Sequence, residues 1–344
     1  MALPRHTAAI WANPDQVELA RSMASAANLE LVAVGSPQRA QSATVASGLG
    51  CEPVDDLRVA LHETKVDLVI LLAVGDFGTG AASEDAAAIV AAHSRGVRVF
   101  TTEPIPSNVL ELDSGGWTSM TPAPAGALRT LALPRHSRVF RDAAETLTAF
   151  GDPRSVLIEH WAAPHHGSLA ARVVGAIDLA HSLVGETETI DAVHVPSGVG
   201  GLSSRGTERT LLSHHGDLNA TLRTSDGRSA LIAVSNSAAR WNWCVTLLSE
   251  RGRLRFYDDG FEWLAPDGQK RDEHRDPART RGSPAPDHAA SVLTDSLCRM
   301  LDDALPDPGP LNVSSVLPVA HAAFLSARTS HPENPGTIRS MILT

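Results

Sequence analysis

Cysteine is scarce: Cys51, Cys244 and Cys298 are the only three in 344 residues, too scattered for a disulfide framework or a cysteine-based zinc site. The core must therefore hold the fold by itself, and the chain suits a reducing compartment. Positive charge is also short, with 29 Lys and Arg against 39 Asp and Glu, a formal charge of −10 and no basic stripe. That balance argues against nucleic acid and against an anionic membrane surface as partners. No apolar run approaches the roughly 20 residues of a membrane span. The opening Met1-Ala2-Leu3-Pro4-Arg5 leads almost at once into a strand pattern, so no signal peptide is expected and the chain reads as cytoplasmic. Catalytic signatures are missing too. There is no Gly-x-Ser-x-Gly elbow, no Gly-x-x-x-x-Gly-Lys-Ser/Thr loop and no cysteine with a matching histidine.

The patterning that is present divides the chain in two, as its length leads one to expect at roughly 150 residues per domain. Residues 7–104 alternate strand (7–11, 29–34, 66–74, 97–101) and helix (17–27, 38–49, 57–63, 83–94). Wholly apolar strands separated by helices imply a parallel sheet covered on both faces, a doubly wound α/β domain. Ser114-Gly115-Gly116 and Thr121-Pro122-Ala123-Pro124 break this rhythm, so 105–134 reads as a loop-rich crossover closing a first domain, 1–134. The grammar then changes. Helices at 139–150 and 167–184 flank a strand at 155–161. Strands at 189–195, 210–214, 218–224, 229–235, 243–248, 253–257 and 261–264 follow, with turn signals such as Asp226-Gly227 and Asp259-Gly260. This predicts an α+β domain, 135–344, with a large, mainly antiparallel open sheet. Residues 266–286 are polar and Pro-bearing and read as a mobile loop, and helices at 289–305 and 313–329 complete the chain.

Candidate chemistry gathers at a few places. The strand in Gly96-Val97-Arg98-Val99-Phe100-Thr101-Thr102-Glu103-Pro104 stops at an acid and a proline. Ligands of parallel α/β sheets sit outside the carboxyl ends of the strands, so Thr102 and Glu103 are expected to face a cleft. His165-His166-Gly167-Ser168 precedes a long helix, where the positive helix end favours neutral imidazole and suits a general base. The competing account is a solvated His pair in a Pro/Gly-flanked loop. His160, His214 and His215 with Asp217 suggest a metal-dependent hydrolase or lyase. His214 and His215 point to opposite faces of a strand, however, and no metal ligand is assigned. Asp178-x-x-His181 shares one helix face and reads as a salt-bridged or capped surface. Trp241 and Trp243 share a strand side, fit either for stacking on a sugar ring or for a sheet interface. Asn13-Pro14-Asp15-Gln16 is a self-sufficient helix start, with Asn13 as N-cap, Pro14 in the first turn and Gln16 reaching back.

The order of these elements resembles the glucose–fructose oxidoreductase / inositol dehydrogenase / rhizopine-catabolism (Gfo/Idh/MocA) family over nearly the whole chain. Segment 96–104 resembles the family's Gly-Lys-His-Val-x-Cys-Glu-Lys-Pro, and 167–185 resembles the helix carrying Asp-x-Gly-x-His-x-x-Asp. The resemblance implies a Rossmann-like first domain and NAD or NADP as cofactor. It also implies a sugar- or polyol-like substrate in the interdomain cleft and a homo-oligomer formed through the open face of the second sheet. By position it places Asn13, Ser36, Arg39 and Pro104 at the cofactor, and Glu103, His165, His166 and Asp178 along the reacting cleft.

The departures are specific. Trp11, Asn13 and Gln16 occupy the three glycine positions of the dinucleotide turn, Ser36 replaces the ribose-binding acid, and Glu103 replaces the catalytic Lys. Ala171 and Gly175 replace the helix Asp and His, and Asp178 alone remains. Asp15 would repel a pyrophosphate arriving at that turn. Two expectations follow. One is a divergent member with degraded cofactor and catalytic motifs that binds a sugar- or cyclitol-like ligand without standard hydride transfer. The other is an active NAD(P)-dependent oxidoreductase in which His165 or His166 replaces the lost acid/base and Ser36 with Arg39 favours NADP.

Overall fold

The computed structural model describes residues 5–75, 77, 82–114, 117, 124–197, 210–276, 288–305 and 307–342. The chain forms two compact units: residues 1–132, 165–167 and 293–314 make the first, and residues 133–164, 168–292 and 315–344 the second.

In the first unit strands and helices alternate: β1 (His6–Trp11), α1 (Val17–Ala26), β2 (Leu29–Gly35), α2 (Ser42–Leu49), β3 (Glu52–Val54), α3 (Leu57–Glu63), β4 (Leu68–Leu71), α4 (Ala82–Ser94), β5 (Arg98–Thr101), α5 (Glu111–Ser114), α6 (Pro124–Ala127) and β6 (Leu128–Thr130). The strands form a six-stranded parallel sheet in the order β3-β2-β1-β4-β5-β6. Strand β4 is buried along its whole length, as a central strand covered on both faces must be. The order reverses between β1 and β4, which makes the carboxyl ends of those strands the position where such sheets take ligands.

Three details differ from the sequence expectation. The apolar run 66–74 is strand only over Leu68–Leu71, because the N–H groups of Leu72 and Ala73 both turn onto the Trp11 carbonyl, at 2.9 and 3.2 Å. Strand β3 is a short Glu-Pro-Val segment at the sheet edge, where a proline costs no ladder bond and no apolar alternation is needed. The expected crossover 105–134 contains α5, α6 and β6. Its residues 115, 116 and 118–123 lie outside the described residues.

The second unit opens with α7 (Arg138–Asp142) and α8 (Ala144–Phe150), which replace the single helix expected at 139–150 and are separated by Ala143 at φ −95°, ψ 11°. Then come β7 (Ser155–Trp161), α9 (Leu169–Val184), β8 (Thr189–Pro196), β9 (Gly216–Arg223), β10 (Ser229–Ser235), β11 (Asn242–Ser249), β12 (Gly252–Tyr257), β13 (Gly260–Leu264) and β14 (Lys270–Arg275). Helices α10 (His288–Leu301), α11 (Val313–Thr329) and α12 (Pro335–Ile342) end the chain. The sheet is eight-stranded, in the order β14-β13-β12-β11-β7-β10-β9-β8. Only β7 and β10 pair in parallel. Helix α9 packs across these two strands. Along β7 the burial alternates, with Val156, Ile158 and His160 buried on one face and Leu157, Glu159 and Trp161 on the other.

Two expectations fail here. Residues 210–214 are not a strand; Leu211–Ser213 form a single 3-10 turn whose Leu212 N–H is capped by Thr210 Oγ1 at 3.3 Å. The loop expected at 266–286 contains β14, an edge strand of Lys-Arg-Asp-Glu-His-Arg joined to β13. Its side chains face water on both sides, so no apolar period marks it, and charged edges of this kind resist pairing with other chains. Residues 277–286 lie outside the described residues.

One corner of the first unit buries charge. Asp85, fully buried in the first turn of α4, pairs with Arg58 of α3 at 2.5 Å. Glu111, at the start of α5, is 8% exposed, and its Oε2 has no hydrogen-bond partner among the described residues. Burial, then the Asp85 charge, push its pKa up to about 7. A carboxyl whose folded pKa exceeds its unfolded value loses stability as pH rises between the two and stays at the lower level above both. Glu111→Gln, which mimics the protonated form, is therefore expected to stabilise the protein by about 1–3 kcal/mol at pH 8 and by little at pH 4.5. Urea unfolding at both pH values checks this, and an equal effect at both would refute it.

Candidate functional site

The site is built from the carboxyl ends of the first unit's strands. After β1 the chain makes a 3-10 turn, Pro14–Gln16, and enters α1. Gln16 is 3% exposed. Its Oε1 accepts the Asn13 N–H at 2.9 Å, the reach-back bond read from the sequence. Its Nε2 donates to the carbonyls of Leu72, at the end of β4, and His165, at 3.0 and 3.3 Å. One carboxamide thus closes the helix start and ties it to two distant segments.

Trp11 is packed beside it. The indole is 5% exposed and lies so close to β2 that a Cβ on Gly35 would fall 1.8 Å from Cζ3. The gap bounded by Trp11, Gly35, Val54, Leu57 and Ala60 has no room for a water molecule. The loops after β2 and β4 also touch: a Cβ on Gly75, at φ +58°, would lie 2.7 Å from Pro37 Cβ.

A pyrophosphate at such a corner needs open backbone N–H groups and close approach over glycine. Here the Asn13 N–H is taken, an indole occupies the space over Gly35, and exposed Asp15 adds negative charge. These residues do not fit the phosphates of a dinucleotide. Ser36 is fully buried, and its Oγ accepts the Gln38 N–H at 3.4 Å in a local turn. The Arg39 side chain lies outside the described residues.

At the end of β5, Thr101, Thr102, Glu103 and Pro104 are all buried. Thr101 Oγ1 accepts the Glu103 N–H at 3.0 Å and donates to the Glu103 carbonyl at 2.9 Å. Thr102 Oγ1 donates to Leu72 O at 3.2 Å, so that carbonyl serves both Gln16 and Thr102. His165 and His166 sit in a 3-10 turn, Pro164–His166, with ring centroids 4.1 Å apart; His166 is buried and His165 half-buried. The first unit therefore links Asn13, Gln16, Leu72, Thr102 and the His165 backbone through hydrogen bonds, with Glu103 one residue from Thr102.

Asp178 belongs to the second unit, on α9. It is 7% exposed and bonded to Arg135 Nε at 2.5 Å. Burial raises its pKa, and the Arg135 guanidinium offsets only part of that. Sequence reasoning missed Arg135, whose signal was a basic residue beside Pro134 ahead of a helix. His181 is also structural. Its Nε2 accepts the Thr187 N–H at 3.3 Å, Nδ1 meets Ser315 Oγ at 3.1 Å, and burial lowers its pKa to about 4. His160 pairs with Arg172, a second residue the sequence reading passed over. Among the described residues no group of three or more His, Cys, Asp or Glu could hold a metal ion.

The comparison with known proteins fits this geometry at the level of fold. No protein-family model matches the sequence, and no curated protein matches it. Solved structures do. An oxidoreductase from Agrobacterium radiobacter, in complex with NAD+, L-tartaric acid and magnesium, superposes with TM-score 0.66 at 14% identity, over 98% of this chain and 100% of its own. Myo-inositol 2-dehydrogenase from Lactobacillus plantarum gives 0.67 at 15%, over 96% and 99%. UDP-N-acetylglucosamine 3-dehydrogenase from Acidithiobacillus ferrooxidans gives 0.62 at 16%, over 95% and 99%. The chain therefore has the fold of the Gfo/Idh/MocA-type oxidoreductases, as the resemblance implied.

Gln16→Met keeps the volume and removes all three side-chain hydrogen bonds of residue 16, leaving Leu72 O with the Thr102 hydroxyl as donor. The expected cost is about 1–3 kcal/mol. Urea unfolding measures it, and a change below about 0.5 kcal/mol would show that the carboxamide does not hold the corner.

Proposed function

We propose that this chain is a Gfo/Idh/MocA-type fold that binds a sugar- or cyclitol-like polyol without carrying out standard nicotinamide hydride transfer. The supporting observation is the Gln16 carboxamide, buried and bonded to Asn13, Leu72 and His165 at the corner where a pyrophosphate would lie. The missing acid/base set agrees, since a positioned acid/base contributes about 10²–10⁴-fold and the aligned positions hold Glu103, Ala171 and Gly175. The polyol class is carried over from the neighbours, whose substrates are myo-inositol and a UDP-sugar and one of which holds L-tartaric acid. Glu103 and the turn bearing His165 and His166 are the groups offered to it. No helix among the described residues is long and apolar enough to cross a membrane.

The open face of the second sheet supports self-association. Leu157, Trp161, Val193, Leu231 and Leu248 are 37–61% exposed on it, around a concavity of about 570 Å³ floored by Thr221, Thr246 and Glu159. An apolar patch of this kind on a sheet is the surface a second copy would cover.

Titration of the purified protein with NADH and NADPH, followed by tryptophan quenching and nucleotide fluorescence, is expected to show no saturable binding below millimolar concentrations. Micromolar binding of either would overturn the reading and favour an active oxidoreductase using His165 or His166. For the sheet face, Leu231→Glu is expected to lower the mass in multi-angle light scattering to that of one chain. A wild type that already runs as one chain would remove the proposed interface.

A further inference from the structure

The open face of the second sheet carries a charge pattern that the reading above does not use. Across six neighbouring strands, β12, β11, β7, β10, β9 and β8, one row of side chains runs Arg255, Thr246, Leu157, Leu231, Thr221 and Asp191. All six line the concavity on that face. The row is symmetric in its chemistry about the seam between β7 and β10. A leucine stands on each side of the seam, then a threonine, then a charge, and the two end charges are opposite in sign.

Those end charges have no ionic partner within the chain. Asp191 is exposed, with no hydrogen bond or ion pair among the described residues. Arg255 donates through Nε to Cys244 Sγ at 3.1 Å and lies 5.0 Å over the Tyr257 ring, and no carboxylate among the described residues forms an ion pair with it. The acid opposite it on β13, Glu262, is held by Arg253 at 3.5 Å. Glu273, next along on β14, is held by Lys270 at 2.5 Å.

A two-fold axis along the seam lays the row on its own reverse. Leucine then meets leucine, threonine meets threonine, and Arg255 of each copy meets Asp191 of the other. Moving the axis by half a strand spacing breaks the match. Centred on β7, it sets Asp191 against Glu262, like charge on like. Centred on β10, it leaves Arg255 beyond the edge of the other sheet. The area is adequate as well. The six strands are six to eight residues long. At about 4.8 Å between strands and about 3.4 Å per residue they present roughly 700 Å², close to the ~800 Å² per partner of a stable interface.

Given the self-association read above, we propose that a second copy of this chain docks with its two-fold axis along the β7–β10 seam, with Arg255 of each copy paired to Asp191 of the other. The leucines supply the dry centre, and the two ion pairs select this arrangement over its neighbours.

The test uses the full chain in two charge reversals, Arg255→Asp and Asp191→Arg, with dissociation constants from sedimentation equilibrium. Alone, each variant opposes like charges twice, and its dimer is expected to be about tenfold weaker than the wild type or more. Mixed in equal amounts, the two variants make a dimer in which both contacts are again Asp with Arg. The mixture should therefore return to within about threefold of the wild-type constant. Mixing restores no contact inside one chain, so recovery is specific to pairing between copies. The wild-type dimer should also weaken as sodium chloride rises from about 0.05 to 0.5 M. A wild-type dimer that either folded reversal leaves unweakened, or a mixture no tighter than its components, would overturn this register and leave self-association through the face standing. A wild type that stays one chain at every concentration would remove both. Should a reversal not fold, Arg255→Gln and Asp191→Asn serve instead: each should reduce the salt dependence, and an unchanged salt dependence would overturn the pairing.

Discussion

The first unit depends on one neutral carboxamide placed where the sheet order reverses. Gln16 has an acceptor at one end and donors at the other, and the structure uses both: the oxygen closes the Asn13 turn, and the nitrogen reaches the Leu72 and His165 carbonyls. A carboxylate of the same length would keep the first bond and oppose the other two. An apolar side chain would keep none. Net contributions of such bonds are about 0.5–1.5 kcal/mol each, but a buried carbonyl stripped of its donor costs about 1–3 kcal/mol. Loss of the carboxamide would strip the Asn13 N–H and the His165 carbonyl of this partner, while Leu72 O would keep the Thr102 donor.

That asymmetry decides between two uses of the corner. A phosphate at a helix N-terminus gains from the helix dipole, a term of about 0.3–1 kcal/mol for an exposed charge. To enter here it would first have to displace the carboxamide and move the Trp11 indole off Gly35, and Asp15 would still repel it. The gain is smaller than the losses. An oxidoreductase and two dehydrogenases share the fold over nearly their whole length at 14–16% identity. Such likeness concerns the sheet and its helices, and the contents of one loop vary independently of them.

What the sequence made legible follows the range over which each interaction acts. Strands β1, β2, β5, β7 and β10 and helix α9 were readable because burial marks the residues locally, as continuous apolar runs in β1, β5 and α9 and as alternation along β7 and β10. Strands β3 and β14 carry no such mark, since both lie at sheet edges and neither has a buried face. The same distinction governs the site. The Asn13–Gln16 bond spans three residues and could be read from capping chemistry, whereas the Gln16–His165 bond spans 149 and could not. Nor could Arg135 be assigned to Asp178 across 43 residues, or Glu111 to Asp85, because the partners come from different helices.

The second unit answers the same problem of buried polarity with charge rather than with an amide. Helix α9 is apolar along almost its whole length, yet it carries Arg172 and Asp178, both buried. Burying such groups costs several kcal/mol each before any partner is counted, so neither is explained by stability. Asp178 takes its partner from Arg135, in the 3-10 turn ahead of α7, which fixes where the chain enters the unit relative to the helix. Arg172 takes part of its answer from a neutral ring on the central strand β7. An ion pair that crosses elements specifies a register. The Arg172–His160 contact likewise joins two elements, helix α9 and strand β7. Both charged residues of α9 therefore tie the helix to another element of the unit, Asp178 to the turn ahead of α7 and Arg172 to strand β7.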